Sequence, residues 1–349
     1  MEGNQGYPGD TGSVFSEHAH ELPACVHLRG TIFLPGEESP PSEENHHKGI
    51  ILHTVAVSQE HLIVHTRSSV ALYHLPTQTM LWHIPCSSFN FALDSRQNLL
   101  ALTPDDPAIS IVVWDLRTGQ PLHQLTYTSN EFPFSVSPDG LAFSPNGQLL
   151  AVGVESAEKE ETRVVLWDMT DGHLFGTLET GDYDDMTTLA FHPTRPLVVG
   201  GSFNNLKVWF WSLDDGHLIN VWEPNCNDRP YNLEFNPDGT FLFVAWGACG
   251  LRVWDMKQER EVPGIPDTLH AVKVTLAPNG QSLAVSHFGG VGLQDVRVVE
   301  IGSWRLLHTF VGNYPSESYS PDGKLLVTSE KHGHIYVWEV ATQQLLYTL

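Results

Sequence analysis

Phe235-Asn236-Pro237-Asp238-Gly239-Thr240-Phe241-Leu242-Phe243-Val244-Ala245, followed by Leu251-Arg252-Val253-Trp254-Asp255, holds the pattern that decides the fold. Two apolar, β-rich runs flank Asn236-Pro237-Asp238-Gly239, which reads as a type I turn. Proline sets φ at its second position, Asp tolerates the third and Gly takes the fourth. A third run ends in Trp-Asp. The same turn recurs as Ser144-Pro145-Asn146-Gly147, Ala277-Pro278-Asn279-Gly280 and Ser320-Pro321-Asp322-Gly323, with degenerate copies at His192-Pro193-Thr194-Arg195, Asp94-Ser95-Arg96-Gln97 and Ser58-Gln59-Glu60-His61. The seven turns begin at 58, 94, 144, 192, 236, 277 and 320, spaced 36, 50, 48, 44, 41 and 43 residues apart.

A second marker keeps step with the first. Val112-Val113-Trp114-Asp115, Val165-Leu166-Trp167-Asp168, Phe210-Trp211-Ser212, Val253-Trp254-Asp255 and Val337-Trp338-Glu339 close apolar runs, and Leu72-Tyr73-His74 and Val298-Val299-Glu300 are copies without Trp. Hairpin signals such as Asp171-Gly172, Asp215-Gly216 and Thr118-Gly119 then lead into one more short strand. Each unit of about 40–45 residues therefore predicts four antiparallel strands, one propeller blade. No amphipathic helix is expected from residue 50 onward. The fold class is all-β: a seven-bladed β-propeller of four-stranded antiparallel blades over 50–349. Repetition also explains how 349 residues form one unit, since each blade hides its surface on its neighbours rather than in one growing core.

The Trp-Asp endings at Trp114-Asp115, Trp167-Asp168 and Trp254-Asp255, with the seven turns, resemble WD-repeat proteins, and the regular Pro-Asp-Gly turns look like the bacterial members. The resemblance covers residues 50–349. It implies a propeller that acts as an interaction platform. Two departures stand out. No Gly-His pair precedes the first strands, and the turns before the Trp strands read Asn204-Asn205, Ala248-Cys249-Gly250 and His332-Gly333-His334. The family's hydrogen-bonded tetrad to Trp is therefore expected to be absent or rare, leaving stability to apolar packing between blades. The C-terminal Leu345-Leu346-Tyr347-Thr348-Leu349 reads as an outer strand, so the last blade is expected to be complete from its own end. Residues 1–49 read as a flexible acidic segment, with a strand at 25–34 that adds to an exposed edge or packs across one end of the ring.

A net charge of −23 argues against nucleic acid and against an anionic membrane surface, both of which need clustered Lys and Arg. If charge guides partner choice, the partner is basic. The four cysteines (Cys25, Cys86, Cys226, Cys249) form no CxxC pair and read as free, mostly buried thiols of a reducing compartment. With no apolar run near 18 residues and no secretory pattern at the start, a cytoplasmic protein is expected.

No nucleophile elbow, phosphate-cradling loop or HExxH motif is present. The nineteen His are scattered, and His332/His334 is the pair with a spacing suited to a metal; no metal or cofactor is expected. Loops are free to carry function where strands are committed to packing. The candidate partner-binding residues are the loop aromatics Tyr183, Phe203, Tyr231, Trp246 and Phe288. To these are added Glu158, Glu160 and Glu161 of the acidic stretch that lengthens the third blade. The expected role is a non-catalytic scaffold, a monomeric propeller within a complex, that binds a protein through its end-face loops. The alternative is a lactonase-like propeller enzyme or small-ligand binder with a central pocket.

Overall fold

The computed structural model describes residues 51–349 apart from 57, 59, 67, 87–90, 95–97, 104–109, 128–134, 157–160, 182–185, 266–269, 288–294, 311–315 and 331–333. The proposed strand at 25–34 lies outside the described residues.

Seven four-stranded antiparallel sheets follow one another along the chain. Blade 1 holds β1 (Ile51–Ala56), β2 (His61–Thr66), β3 (Ser69–His74) and β4 (Thr79–Pro85). Blade 2 holds β5 (Phe91–Asp94), β6 (Leu99–Leu102), β7 (Ser110–Asp115) and β8 (Gln120–Thr126). Blade 3 holds β9 (Ser135–Phe143), β10 (Leu149–Ser156), β11 (Glu161–Asp168) and β12 (Leu174–Glu179). Blade 4 holds β13 (Met186–Phe191), β14 (Leu197–Ser202), β15 (Val208–Ser212) and β16 (Leu218–Trp222). Blade 5 holds β17 (Asn232–Phe235), β18 (Phe241–Ala245), β19 (Leu251–Asp255) and β20 (Arg260–Glu261). Blade 6 holds β21 (Ala271–Leu276), β22 (Ser282–His287), β23 (Val296–Glu300) and β24 (Leu306–Phe310). Blade 7 holds β25 (Ser316–Tyr319), β26 (Leu325–Ser329), β27 (Ile335–Glu339) and β28 (Leu345–Thr348).

The recurring turn works as a small machine. In Asn236–Gly239 the Gly239 amide donates to the Asn236 carbonyl at 2.9 Å, and the Asn236 side chain accepts from the Phe241 amide at 2.8 Å, closing the β17–β18 hairpin. Ser144 and Ser320 do the same through Oγ, accepting from Leu149 and Leu325 at 2.9 Å. Gly239 sits at φ +72°, a left-handed conformation that a side chain resists, and His192 of the neighbouring blade's turn occupies the space a Cβ would need. His192 is the degenerate turn's substitute for Ser or Asn. Its Nδ1 accepts from the Thr194 and Arg195 amides, so its Nε2–H donates to the Gly239 carbonyl at 2.9 Å and ties blade 4 to blade 5.

The Trp-Asp pair divides its labour. Trp254 enters the core, where it stacks at 4.9 Å from Trp222 and 5.8 Å from Phe210. Asp255 turns outward and its Oδ1 accepts from the Lys257 and Gln258 amides, both at 2.9 Å, capping the next turn. Asp115 and Asp168 cap their turns in the same way, and those hydrogen bonds hold both carboxyls below the usual range.

Apolar packing joins each blade to the next. Leu100 and Ile63 lie in the core between blades 1 and 2, Val113 and Val152 between 2 and 3, Leu166 and Val198 between 3 and 4. Phe210 and Leu242 join blades 4 and 5, Phe243 and Val285 join 5 and 6, Ala284 and Leu326 join 6 and 7. The ring closes through Leu62, Tyr73, Val327 and Val337, which pack blade 7 on blade 1. Blade 7 takes all four strands from the C-terminal segment, so closure is by side-chain packing rather than strand exchange. First strands of neighbouring blades, such as β13 with β17 and β21 with β25, touch one another near the axis. Fourth strands expose their early residues, including Phe175 and Ile219.

Candidate functional site

Chain direction sorts the connections between two ends of the ring. The turns between first and second strands, and between third and fourth, share one end and are short. The other end carries the connections between second and third strands and those that pass from blade to blade. Some of these are long, as at 223–231 and 262–270.

On that end, blades 4 and 5 build a braced platform. The segment after β16 and the tight loop after β18 are joined by a disulfide between Cys226 and Cys249, with Cα atoms 6.1 Å apart. Asp228 is the hub between them. Its Oδ2 accepts from the Ala248 amide at 2.8 Å, its Oδ1 from the Arg229 amide at 2.8 Å, and its carbonyl from the Trp246 indole. Gly247 carries φ +51° and leaves room for the Asp228 carboxylate, while its amide donates to the Ala271 carbonyl of blade 6 at 2.7 Å. The Arg229 guanidinium then lies over two rings, its carbon 3.9 Å from the centroid of Phe203 and 4.6 Å from that of Tyr231. Cations over ring faces are attracted by the ring quadrupole.

Phe203 and Tyr231, two of the aromatics expected to bind a partner, thus meet around one residue, and Phe203 remains 38% exposed. Trp246 requires a correction as an exposed loop aromatic: it is fully buried, packed edge-to-face on Trp222 at 5.2 Å. It continues the inward alternation of β18, and its indole N–H is satisfied inside the loop, so it supports the platform from beneath. Glu161 begins β11, half-buried, and accepts from Arg163 at 2.9 Å. Tyr183, Phe288, Glu158 and Glu160 lie outside the described residues.

The expectation of four free thiols is also corrected by the Cys226–Cys249 bond, and the reducing compartment inferred from it loses its support. Cys86 is free. Sequence reasoning missed Arg229 and Asp228 as well. The register carried a usable signal. Asn232 pairs with Ala245, so residues just before β17 and just after β18 emerge side by side, which is where the two cysteines stand. Arg229 had no comparable signal, because its two ring partners come from different blades.

A second polar cluster lies along the innermost strands of blades 5 to 7. Glu234 accepts from the Leu276 amide at 3.1 Å, and the Lys273 ammonium donates to the Glu317 carbonyl at 2.9 Å. Glu317 is 0% exposed, with Ser286 against its carboxylate. Burial pushes Glu317 up to about 7, offset in part by Lys273 and Ser286, and pushes Glu234 up to about 8. Among the described residues, no three His, Cys, Asp or Glu side chains gather as a metal site; His334 faces Glu330 at 3.2 Å. No described helix is long and apolar enough to cross a membrane.

The family model described as "WD domain, G-beta repeat" matches residues 304–339, from the turn before β24 to the end of β27. Within that stretch the Trp338 indole donates to Thr328 Oγ1 at 3.0 Å, tying the third strand to the second through side chains. The protein is a seven-bladed β-propeller in which one WD repeat runs from the fourth strand of blade 6 through the third strand of blade 7. Elsewhere the propeller's tryptophans find other acceptors: the indoles of Trp82 and Trp211 donate to the carbonyls of Leu116 and Glu179 at 2.8 and 2.9 Å. A search of curated proteins returned no match to the chain.

Proposed function

We propose that the protein is a non-catalytic scaffold that holds a partner protein on its loop-rich end, with the Phe203–Arg229–Tyr231 platform as the contact centre. The observation that supports this reading most is the construction of that platform. A disulfide, a carboxylate hub and a buried Trp hold in place a stacked Arg and two aromatic rings. Arg and Tyr are over-represented among the few residues that dominate binding energy in protein interfaces, and rigid side chains lose little freedom on binding. Propellers with WD repeats commonly serve as interaction scaffolds, which agrees with this assignment. Glu161, at the start of β11, lies at the same end and adds an outer contact for basic groups of the partner. The test is affinity capture with the full chain and with Phe203→Ala and Tyr231→Ala. A partner retained by the parent and lost from both variants supports the reading. Equal recovery by all three chains sinks it.

A further inference from the structure

Arginine in this chain is normally claimed by acid. Acidic residues outnumber Lys and Arg by 41 to 18. Arg163 reaches Glu161, Arg252 reaches Glu261, Arg297 reaches Asp295, Arg305 reaches Glu300 and Arg117 reaches Asp115. Lys207, close to the platform, is held by Glu223 at 3.2 Å. Arg229, like Arg195 and Arg260, reaches no carboxylate among the described residues, and of these three it is the one placed against aromatic rings. Its backbone amide donates to Asp228, but among the described residues no oxygen accepts from its guanidinium. The nearest carboxylate, Asp228, is committed on both oxygens to backbone amides.

The stacking explains what is left available. Phe203 and Tyr231 hold the guanidinium carbon over their rings, and ring faces do not satisfy its N–H groups as an oxygen acceptor would. Those donors form a planar fork whose geometry matches a carboxylate in two parallel hydrogen bonds. The plane is also held before any ligand arrives, by the rings and by the disulfide-braced segment on which Arg229 sits, so its side-chain freedom is already restricted.

We propose that Arg229 receives a carboxylate of the bound partner protein, from an Asp or Glu side chain or a chain terminus, on its guanidinium N–H groups beside Phe203 and Tyr231. This rests on the loop-rich end being the interaction face. It also refines the charge argument: a net charge of −23 steers the encounter toward a basic partner, while one local acid of that partner sets the register on the platform.

The test uses random linear peptides displayed and selected on the full, oxidised chain, followed by affinity measurement by fluorescence anisotropy. Peptides that depend on the platform are identified by lost binding to Phe203→Ala. Those peptides are expected to carry an acidic residue or free C-terminus at a fixed place. Converting that group to its amide, or Arg229→Gln, weakens binding about tenfold or more, and the two changes together are no worse than either alone. Arg229→Lys restores part of the affinity, because a point charge replaces a fork. Unchanged thermal midpoint and thiol count in Arg229→Gln establish that the variant folds. Platform-dependent peptides that keep full affinity for Arg229→Gln would overturn the carboxylate assignment and leave the interaction face standing. If no selected peptide responds to Phe203→Ala or Tyr231→Ala, both readings fall. Displacement of the peptide by excess acetate would make Arg229 a small-anion site and overturn the assignment to a partner protein.

Discussion

Removing the Cys226–Cys249 bond by the double change Cys226→Ala, Cys249→Ala should destabilise the propeller by a calculable amount. The bond spans 23 residues and encloses the β17–β18 hairpin. A cross-link of that length removes loop-closure entropy from the unfolded chain equivalent to about 3 kcal/mol at 25 °C. The folded state is little disturbed, because the hairpin is already held by four register pairs from Asn232–Ala245 to Phe235–Leu242. Unfolding entropy scales with length, so for the roughly 300 residues of the ring 3 kcal/mol corresponds to a fall of about 4–5 °C in the thermal midpoint. Differential scanning calorimetry of both chains, with and without a reducing agent, reads this directly. The parent should lose the same 4–5 °C on reduction and the double variant should lose nothing. Thiol titration in denaturant should find two more thiols in the parent after reduction than before. A parent with no extra thiols on reduction, or a double variant as stable as the oxidised parent, would refute the argument.

Gly239→Ala should shift the urea midpoint by the equivalent of about 2 kcal/mol or more, because a left-handed residue gains a Cβ against the His192 ring; a variant within experimental error of the parent would contradict the turn geometry. The stability contributed by Glu317 and Glu234 should fall as pH rises from about 5 to 9, opposed by His192, His287 and His308, whose lowered values favour the folded state as pH rises toward 7. Glu317 and Glu234 bind protons more tightly folded than unfolded, so their contribution is complete below the unfolded value near 4.5 and disappears as pH climbs through about 7 and 8. Chemical unfolding across that range should show Glu317→Gln flattening the slope by at most about 3 kcal/mol and leaving the variant more stable than the parent at pH 9. A parallel slope in both chains would remove Glu317 from the explanation. His192→Ser should preserve the hairpin within blade 4, since Ser fills that turn position at 144 and 320, yet lower stability through loss of the contact to Gly239; hydrogen exchange at the Thr194 and Arg195 amides checks the local part.

The blade count was legible because each marker has a local cause. Pro-Asp-Gly sets a turn through the φ preferences of three adjacent residues, and Trp-Asp places a ring in the core and an acid over the next turn through strand alternation. Neither needs a distant partner, so seven copies announce seven blades. Trp246 misled because a loop position in sequence was taken to mean a surface position, whereas the strand's alternation continues one residue past its last ladder bond.

What tertiary structure alone decided lies between blades and between loops. Phe203, Arg229 and Tyr231 come from two blades, and only ring closure sets the angle at which those blades present them. Cys226 and Cys249 met because antiparallel pairing of β17 with β18 returned the chain to the same end. Repetition in a sequence reports forces that act over a few residues, and those suffice to specify each blade. A binding platform depends on distances set by the packing of whole sheets, and no run of adjacent residues records them.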